Sequence, residues 1–331
     1  MHRIIIILSV LFSIAALLCW PSRPVEARSY VRWAYYVPDD PRSYQSLKAR
    51  HAYLDVVSPY AWRIHPDGSI SSRIQPEVVA QMRRWGLKVV PMVTKWSWGD
   101  KMHGLLASPA ARSRVASRLS QLVIEGGYDG IHIDIENILV QDGPALEAFV
   151  AEIAGGVRGN GRLVTMALPS RTARQNSHQA YNYARLGVHL DLAVLMAYDH
   201  GYAGGRPSPV APLPWVQEVI AYGVTHIPRS KVLLGVPWYG YDWNTSTRTA
   251  GRYVGFTDAI GTGGQQAYDQ LAQAPSRRYT LNGQHHQVWY EDARSVRKKL
   301  DLVVQGGLAG WAAWRLGYDD PAIWGLIRPR R

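Results

Sequence analysis

The chain has almost no sulfur chemistry to offer. Its single cysteine, Cys19, lies inside an N-terminal apolar run, so neither a disulfide framework nor a thiolate metal site can organise the fold. No His/Cys group has zinc spacing, and His285-His286 is an isolated pair that reads as a loop feature. No metal and no cofactor is therefore expected. Despite a net charge of +12 there is no Lys/Arg run and no nucleic-acid motif. Nucleic acid is set aside, and the charge is read as a surface that concentrates other polyanions, such as an anionic wall or membrane. After residue 28 there is no Ser/Gly linker, no low-complexity stretch and no second module. Phenylalanine is scarce, 3 residues against 13 Trp and 19 Tyr. The aromatic surface is thus weighted towards rings with a polar edge, which suit stacking on sugars as well as core packing.

What is present begins with a leader-like segment. His2-Arg3, the apolar Ile4 to Trp20, the polar Pro21-Ser22-Arg23-Pro24 and the small-residue site Val25-Glu26-Ala27 read as a signal peptide over residues 1–27. The expectation is a secreted or wall-associated protein, with a retained anchor as the alternative, since the apolar run is at the lower edge of spanning length.

The informative stretch is Tyr128-Asp129-Gly130-Ile131-His132-Ile133-Asp134-Ile135-Glu136-Asn137. Isoleucines alternate with polar or acidic residues, so on a strand His132, Asp134 and Glu136 share one face and the isoleucines the other. A half-exposed antiparallel strand would show the same pattern. Here the stretch follows a helical run (Ala110 to Glu125) and Gly126-Gly127, and similar units recur, which favours a parallel strand backed by helices. Two carboxyls so close push their pKa values apart, and one holds a proton near neutrality.

The recurrence sets the fold. Strands are expected at Val31–Val37, Tyr53–Pro59, Lys88–Thr94, the acidic stretch, Leu163–Leu168, Asp191–Tyr198, Val232–Pro237 and Leu308–Trp314, with helices between them. Eight alternating units over residues 28–331 predict an α/β fold, a (β/α)8 TIM barrel. Residues 242–292 are too long for a bare connection and predict a small α+β insertion between the seventh strand and its helix. Active sites in such barrels form at the C-terminal strand ends, where Glu136, Tyr198-Asp199, Trp238-Tyr239 and Trp314 all fall.

Asp129-Gly130-x-x-x-Asp134-x-Glu136 resembles the signature of glycoside hydrolase family 18, the chitinase-like enzymes, with His132 where the family usually has Asp or Asn. Met196-Ala197-Tyr198-Asp199 resembles the family's motif on the sixth strand. Lys231 to Trp243, Val288 to Ala293 and Gly310 to Gly317 resemble the branch of spore cortex-lytic N-acetylglucosaminidases and related bacterial wall hydrolases. The resemblance implies a retaining, substrate-assisted glycosidase cleaving β-1,4 bonds after N-acetylglucosamine in peptidoglycan. The alternatives are a chitinase or an inactive glycan-binding relative. It implies Glu136 as acid and base, Asp134 and Tyr198 as helpers of the substrate's acetamido group, Asp199 as a further contact and Trp314 as the floor of the cleavage subsite. Tyr35, Trp238, Tyr239 and Met196 are candidate lining residues, with core or scaffold packing the other reading for the three aromatics. His132 is either a satisfied core histidine or a partner of Asp134, and an altered pH dependence is expected of it. Asp129 reads as a structural cap of the strand entry. The expected partners are an N-acetylglucosamine-containing polysaccharide and an anionic wall surface, and the chain is expected to act as a monomer.

Overall fold

The computed structural model describes residues 30–99, 102–159, 161–175 and 177–330. The leader reading lies outside them. The first strand, β1 (Val31–Tyr36), leads through helix α1 (Pro41–Arg50) to β2 (Val56–Ile64), which turns into a hairpin with β3 (Ile70–Ser72). Helix α2 (Pro76–Arg84) returns the chain to β4 (Lys88–Val89) and β5 (Met92–Lys95). Helices α3 (His103–Ala107) and α4 (Pro109–Glu125) precede β6 (Gly130–Asp134), and α5 (Gly143–Val157) precedes β7 (Leu163–Pro169). Helix α6 (Tyr183–Gly187) leads to β8 (Leu192–Met196) and α7 (Leu213–His226) to β9 (Val232–Pro237). A separate sheet follows: β10 (Gly240–Asn244), β11 (Arg252–Val254), α8 (Phe256–Ile260), β12 (Gln265–Asp269), β13 (Ala274–Leu281) and β14 (Gln284–Trp289). Helix α9 (Ala293–Gln305) and β15 (Gly310–Trp314) complete the fold.

The strands β1, β2, β5, β6, β7, β8, β9 and β15 pair in parallel, each with the next, and β15 pairs back to β1. This is a closed (β/α)8 barrel, and it closes wholly within residues 31–314. Alternation along each strand sorts the side chains. Ile131, Ile133 and Ile135 point outward into one core with Leu119, Val123, Phe149 and Ile153 of α4 and α5. Trp33, Tyr35, Met92, Val194, Leu233 and Ala312 fill the inside. Each fully buried aliphatic side chain contributes roughly 1.5–3 kcal/mol, so a one-residue slip of β6 would forfeit three isoleucines and expel the acids. Some of the helices start on local side-chain caps. The Asp40 carboxylate accepts from the Arg42 N–H at α1, the Ser108 hydroxyl from the Ala111 N–H at α4, and Asp292 with Ser295 forms a reciprocal cap at α9.

Two strands differ from expectation. The third is split at Val90-Pro91, because Pro91 has no N–H to give the ladder, and both halves pair with β2. The second starts at Val56 rather than Tyr53 and runs on past Pro59, with an irregularity between Tyr60 and Trp62. Between β9 and α9 the chain builds a five-stranded antiparallel sheet ordered β11-β10-β14-β13-β12, with α8 as its one helix among the described residues.

Candidate active site

The acid strand owes its position to Gly130. A Cβ there would meet the Leu163 carbonyl oxygen at 2.2 Å, so glycine lets β6 and β7 approach closely. Asp129 caps this entry as expected, its Oδ2 accepting from the Val89 N–H at 2.8 Å. From there His132 and Asp134 point inward, and Glu136 follows just past the strand end. The register sets Asp134 beside Thr94 and His132 between Met92 and Thr165.

Burial raises the pKa of Asp134 well out of the carboxylate range, and its Oδ1 is enclosed without a hydrogen-bond partner among the described residues. Glu136 is also pushed up, first by loss of water, then by the negative charges of Asp134 and Asp199, while the Lys95 ammonium pulls the other way. The outcome is a carboxylic acid that keeps its proton near neutral pH at the open end of the barrel.

His132 is fully buried, and its ring nitrogens bond Tyr35 and Thr165 rather than Asp134. The Thr165 hydroxyl donates to the Ile131 carbonyl oxygen at 3.1 Å. It therefore accepts from His132 Nδ1–H at 2.8 Å, which leaves Nε2 to accept from the Tyr35 hydroxyl at 2.9 Å. Burial lowers the His132 pKa to about 3. The residue is a neutral part of the barrel interior, out of a substrate's reach, and the altered pH dependence expected of it is withdrawn.

Tyr198 and Asp199 stand just past β8. Gly235 on β9 makes room for them, since a Cβ there would lie 3.0 Å from the Tyr198 ring and 2.5 Å from the Leu195 oxygen. Tyr198 packs on Tyr239, in a cluster that Trp314 also joins. Charges of Asp134, Glu136 and Asp199 all add to the rise of its pKa, after burial and Tyr35, so it shares their space. Asp199 adopts φ 58° and accepts from the hydroxyls of Tyr239 at 2.5 Å and Tyr241 at 3.0 Å. As a residue it is open to solvent, yet the tyrosine rings strip water from its carboxyl. That raises its pKa, and the two hydroxyl donors hold the rise back. Trp314 is partly exposed inside the barrel end, its ring 5.2 Å from Tyr35. Met196 has the inward parity of Val194 on β8.

Trp238 does not join this group. It turns outward and packs on Trp311 and Trp324 among the helices; strand parity, which puts it opposite Tyr239, could have said so. Tyr35 and Tyr239 are buried and act through hydrogen bonds, to His132 and Asp199. Sequence reasoning missed Tyr241, Thr165, Lys95 and the tryptophans beyond β5. Trp96 is 48% and Trp98 64% exposed. The Trp98 carbonyl accepts from Asn137 Nδ2 at 2.8 Å and Lys95 Nζ at 2.9 Å, which ties this aromatic rim to the acidic stretch. Lys95-Trp96-Ser97-Trp98 at a strand end was the available signal.

Known proteins are similar to this chain in sequence and in fold. The cortical fragment-lytic enzyme of Bacillus subtilis is 29% identical over 332 residues, covering 93% of this chain and 74% of the relative. The putative sporulation-specific glycosylase YdhD of the same organism is 28% identical over 311 residues, covering 89% and 74%. Among solved structures, a chitinase from Chromobacterium violaceum superposes with a TM-score of 0.83 at 25% identity, covering 90% of this chain and 97% of its own. The Bacillus megaterium spore cortex-lytic enzyme SleL gives 0.81 at 25%, covering 90% and 73%. The model of glycosyl hydrolases family 18 matches residues 33–319, from the first barrel strand to beyond the last. A match of that extent, which includes the acids Asp134 and Glu136, makes this chain a member of glycosyl hydrolases family 18 and a glycosidase.

Proposed function

We propose that the protein is a retaining, substrate-assisted N-acetylglucosaminidase that cuts β-1,4 bonds after N-acetylglucosamine in peptidoglycan, outside the cytoplasm. The observation that carries this is the placement of Glu136 just past the β6 end beside Asp134 and Asp199, where burial and their charges raise its pKa. Glu136 gives its proton to the glycosidic oxygen as that oxygen leaves the anomeric carbon. The substrate's acetamido oxygen forms the replacing bond, giving an oxazolinium ion, the route by which this family departs from the two-carboxylate scheme. Asp134, with one enclosed oxygen unpartnered, accepts from the acetamido N–H and balances the developing positive charge. Tyr198 and Asp199 hold the acetamido group, and Trp314 lies under the sugar. Water then attacks the anomeric carbon from the side of departure and returns a proton to Glu136. Two B. subtilis relatives bear the names cortical fragment-lytic enzyme and sporulation-specific glycosylase, which supports peptidoglycan as the polymer. Chitin is the second reading, supported by the chitinase superposition.

The test is mass analysis of products from purified peptidoglycan and from chitin, side by side. New reducing ends on N-acetylglucosamine, lost with Glu136→Gln, are expected from peptidoglycan. Reducing ends on muramic acid, or equal turnover of a substrate without the N-acetyl arm, would refute the reading. Glycan binding without turnover by the unsubstituted protein would make it a lectin.

A further inference from the structure

The end of the barrel opposite the acids carries an uncompensated positive charge. Parallel strands start there, and the helices deliver their C-terminal carbonyls to the same end. Arginines and lysines cap those carbonyls. Arg83 Nη2 donates to the Gly126 and Gly127 oxygens beyond α4 at 2.6 and 3.0 Å. Lys231 Nζ donates to the Gly187 oxygen at the end of α6 and the Leu190 oxygen after it, at 3.3 and 2.8 Å. Arg229 Nη1 reaches the Gly306 oxygen after α9 at 2.8 Å, and Arg330 Nη1 the Gly86 oxygen after α2 at 2.6 Å. Such caps are favourable at helix C-termini, but a carbonyl carries no formal charge, so these cations stay un-neutralised. Lys48, Arg84, Lys88 and Arg328 are exposed at this end as well. Its carboxylates are fewer. Asp55 is paired with Arg32, Asp191 lies 3.7 Å from Arg158, Glu125 at the end of α4 lies 3.3 Å from Arg118, Asp129 is occupied at the β6 entry, and Asp301 stands in the last turns of α9.

The chain enters the barrel at this same end, at Tyr30. Residues 21–29 alone separate it from the apolar stretch Ile4 to Trp20, a reach of at most about 30 Å. Among the described residues no helix is long and apolar enough to cross a membrane, so whatever the barrel itself does with lipid it does at a surface.

We propose that this basic end docks on anionic phospholipid headgroups and turns the acid cleft away from the membrane. Lipid is favoured over an anionic wall polymer on the retained-anchor reading of residues 1–27, in which the apolar stretch holds this end within about 30 Å of the membrane, whereas the glycan must be met at the opposite one. The proposal rests on charge placement, and its failure would leave the glycosidase reading untouched.

The test is co-sedimentation of residues 28–331, which contain the whole closed barrel, with vesicles of phosphatidylcholine alone or mixed with phosphatidylglycerol. Binding to the mixed vesicles only is expected, and its loss at high salt. Each cation near such a surface strengthens binding roughly fivefold, so Arg84→Glu/Lys88→Glu/Arg328→Glu is expected to weaken it at least about 100-fold. Circular dichroism and hydrolysis of a soluble oligosaccharide should be unchanged in that variant. No binding to the mixed vesicles, equal binding to the neutral ones, full binding by the triple variant, or tighter binding to soluble poly(glycerol phosphate) than to vesicles would each overturn the proposal.

Discussion

Two of the places where this molecule takes carboxyl groups out of water do so to opposite ends. At the end of β6, Asp134 and Glu136 are like charges whose pKa values both rise. At the root of α9, Glu291 is 0% exposed, but its Oε2 accepts from Lys299 Nζ at 2.7 Å, and Lys299 is 1% exposed. Burial raises Glu291 too, with the Lys299 charge pulling it back. The comparison separates two consequences of one cost. A buried carboxyl matched with a cation is fixed in place and holds α9 beside the inserted sheet. A buried carboxyl matched with another carboxyl keeps its proton and is available for chemistry. The acid site works against folding. Its folded pKa values exceed the unfolded ones, so its contribution to stability is full at low pH and is lost as pH rises through the folded values.

The strongest way to break that contrast is Glu136→Gln. Turnover is expected to fall by roughly 10³-fold or more, the upper range for a general acid. The thermal midpoint should rise by about 2–4 °C, since about 1 kcal/mol of repulsion and desolvation is removed. Calorimetry and a glycan assay on one preparation check both halves; an inactive variant that is also less stable would contradict the account of the site.

Lys299→Met is the mirror experiment. Removing one partner of a buried pair costs about 3–5 kcal/mol, while activity per folded molecule should hold. Without its cation Glu291 is raised further, so the deficit should be small near pH 5 and grow towards pH 8 in urea titrations. Glu291→Gln/Lys299→Met should recover most of the loss. A single variant as stable as the parent at pH 8 would mean that Lys299 does not compensate Glu291.

Much of this contrast is legible in the sequence at one site and little at the other. Period-2 alternation put Ile131, Ile133 and Ile135 against the helices and the acids inside, because a strand's faces depend on neighbours in the chain. Glu291 and Lys299 gave no comparable signal, since eight residues spanning a strand end and a helix start have no fixed geometry. His132 depends on Tyr35 and Thr165, 97 and 33 residues away, and only the closed barrel brings them together. The individual strands of the insertion gave no such signal, because burial along β10 and β13 runs in blocks instead of alternating.

A smaller effect tests how far the acid pair depends on its third carboxylate. In Asp199→Asn a negative charge near Glu136 is removed, so Glu136 releases its proton more readily. The alkaline limb of kcat/KM should move to lower pH by about half to one unit. Turnover should also fall, since Tyr239 and Tyr241 lose a charged acceptor. An alkaline limb that stays in place would remove Asp199 from the electrostatics of Glu136.

The smallest effect on catalysis belongs to His132→Gln. The imidazole is neutral, its pKa pushed to about 3 by burial, so the substitution takes no ionisation from the working range. Both limbs of the pH profile should stay within about 0.3 units. Stability should respond instead. A histidine of folded pKa about 3 takes up a proton on unfolding below its free value of about 6.5. The stability that depends on its neutral form is thus complete above that value and lost as pH falls towards 3, at up to about 1.4 kcal/mol per pH unit. Glutamine has no such loss. At pH 7 the variant should be weaker by about 1–3 kcal/mol, because Tyr35 or Thr165 loses a buried partner. At pH 4.5 that gap should close or reverse. A gap in urea midpoints that stays constant between the two pH values would show that His132 is not held neutral, and the interior beneath the acids would then carry a charge that shifts Asp134 as well.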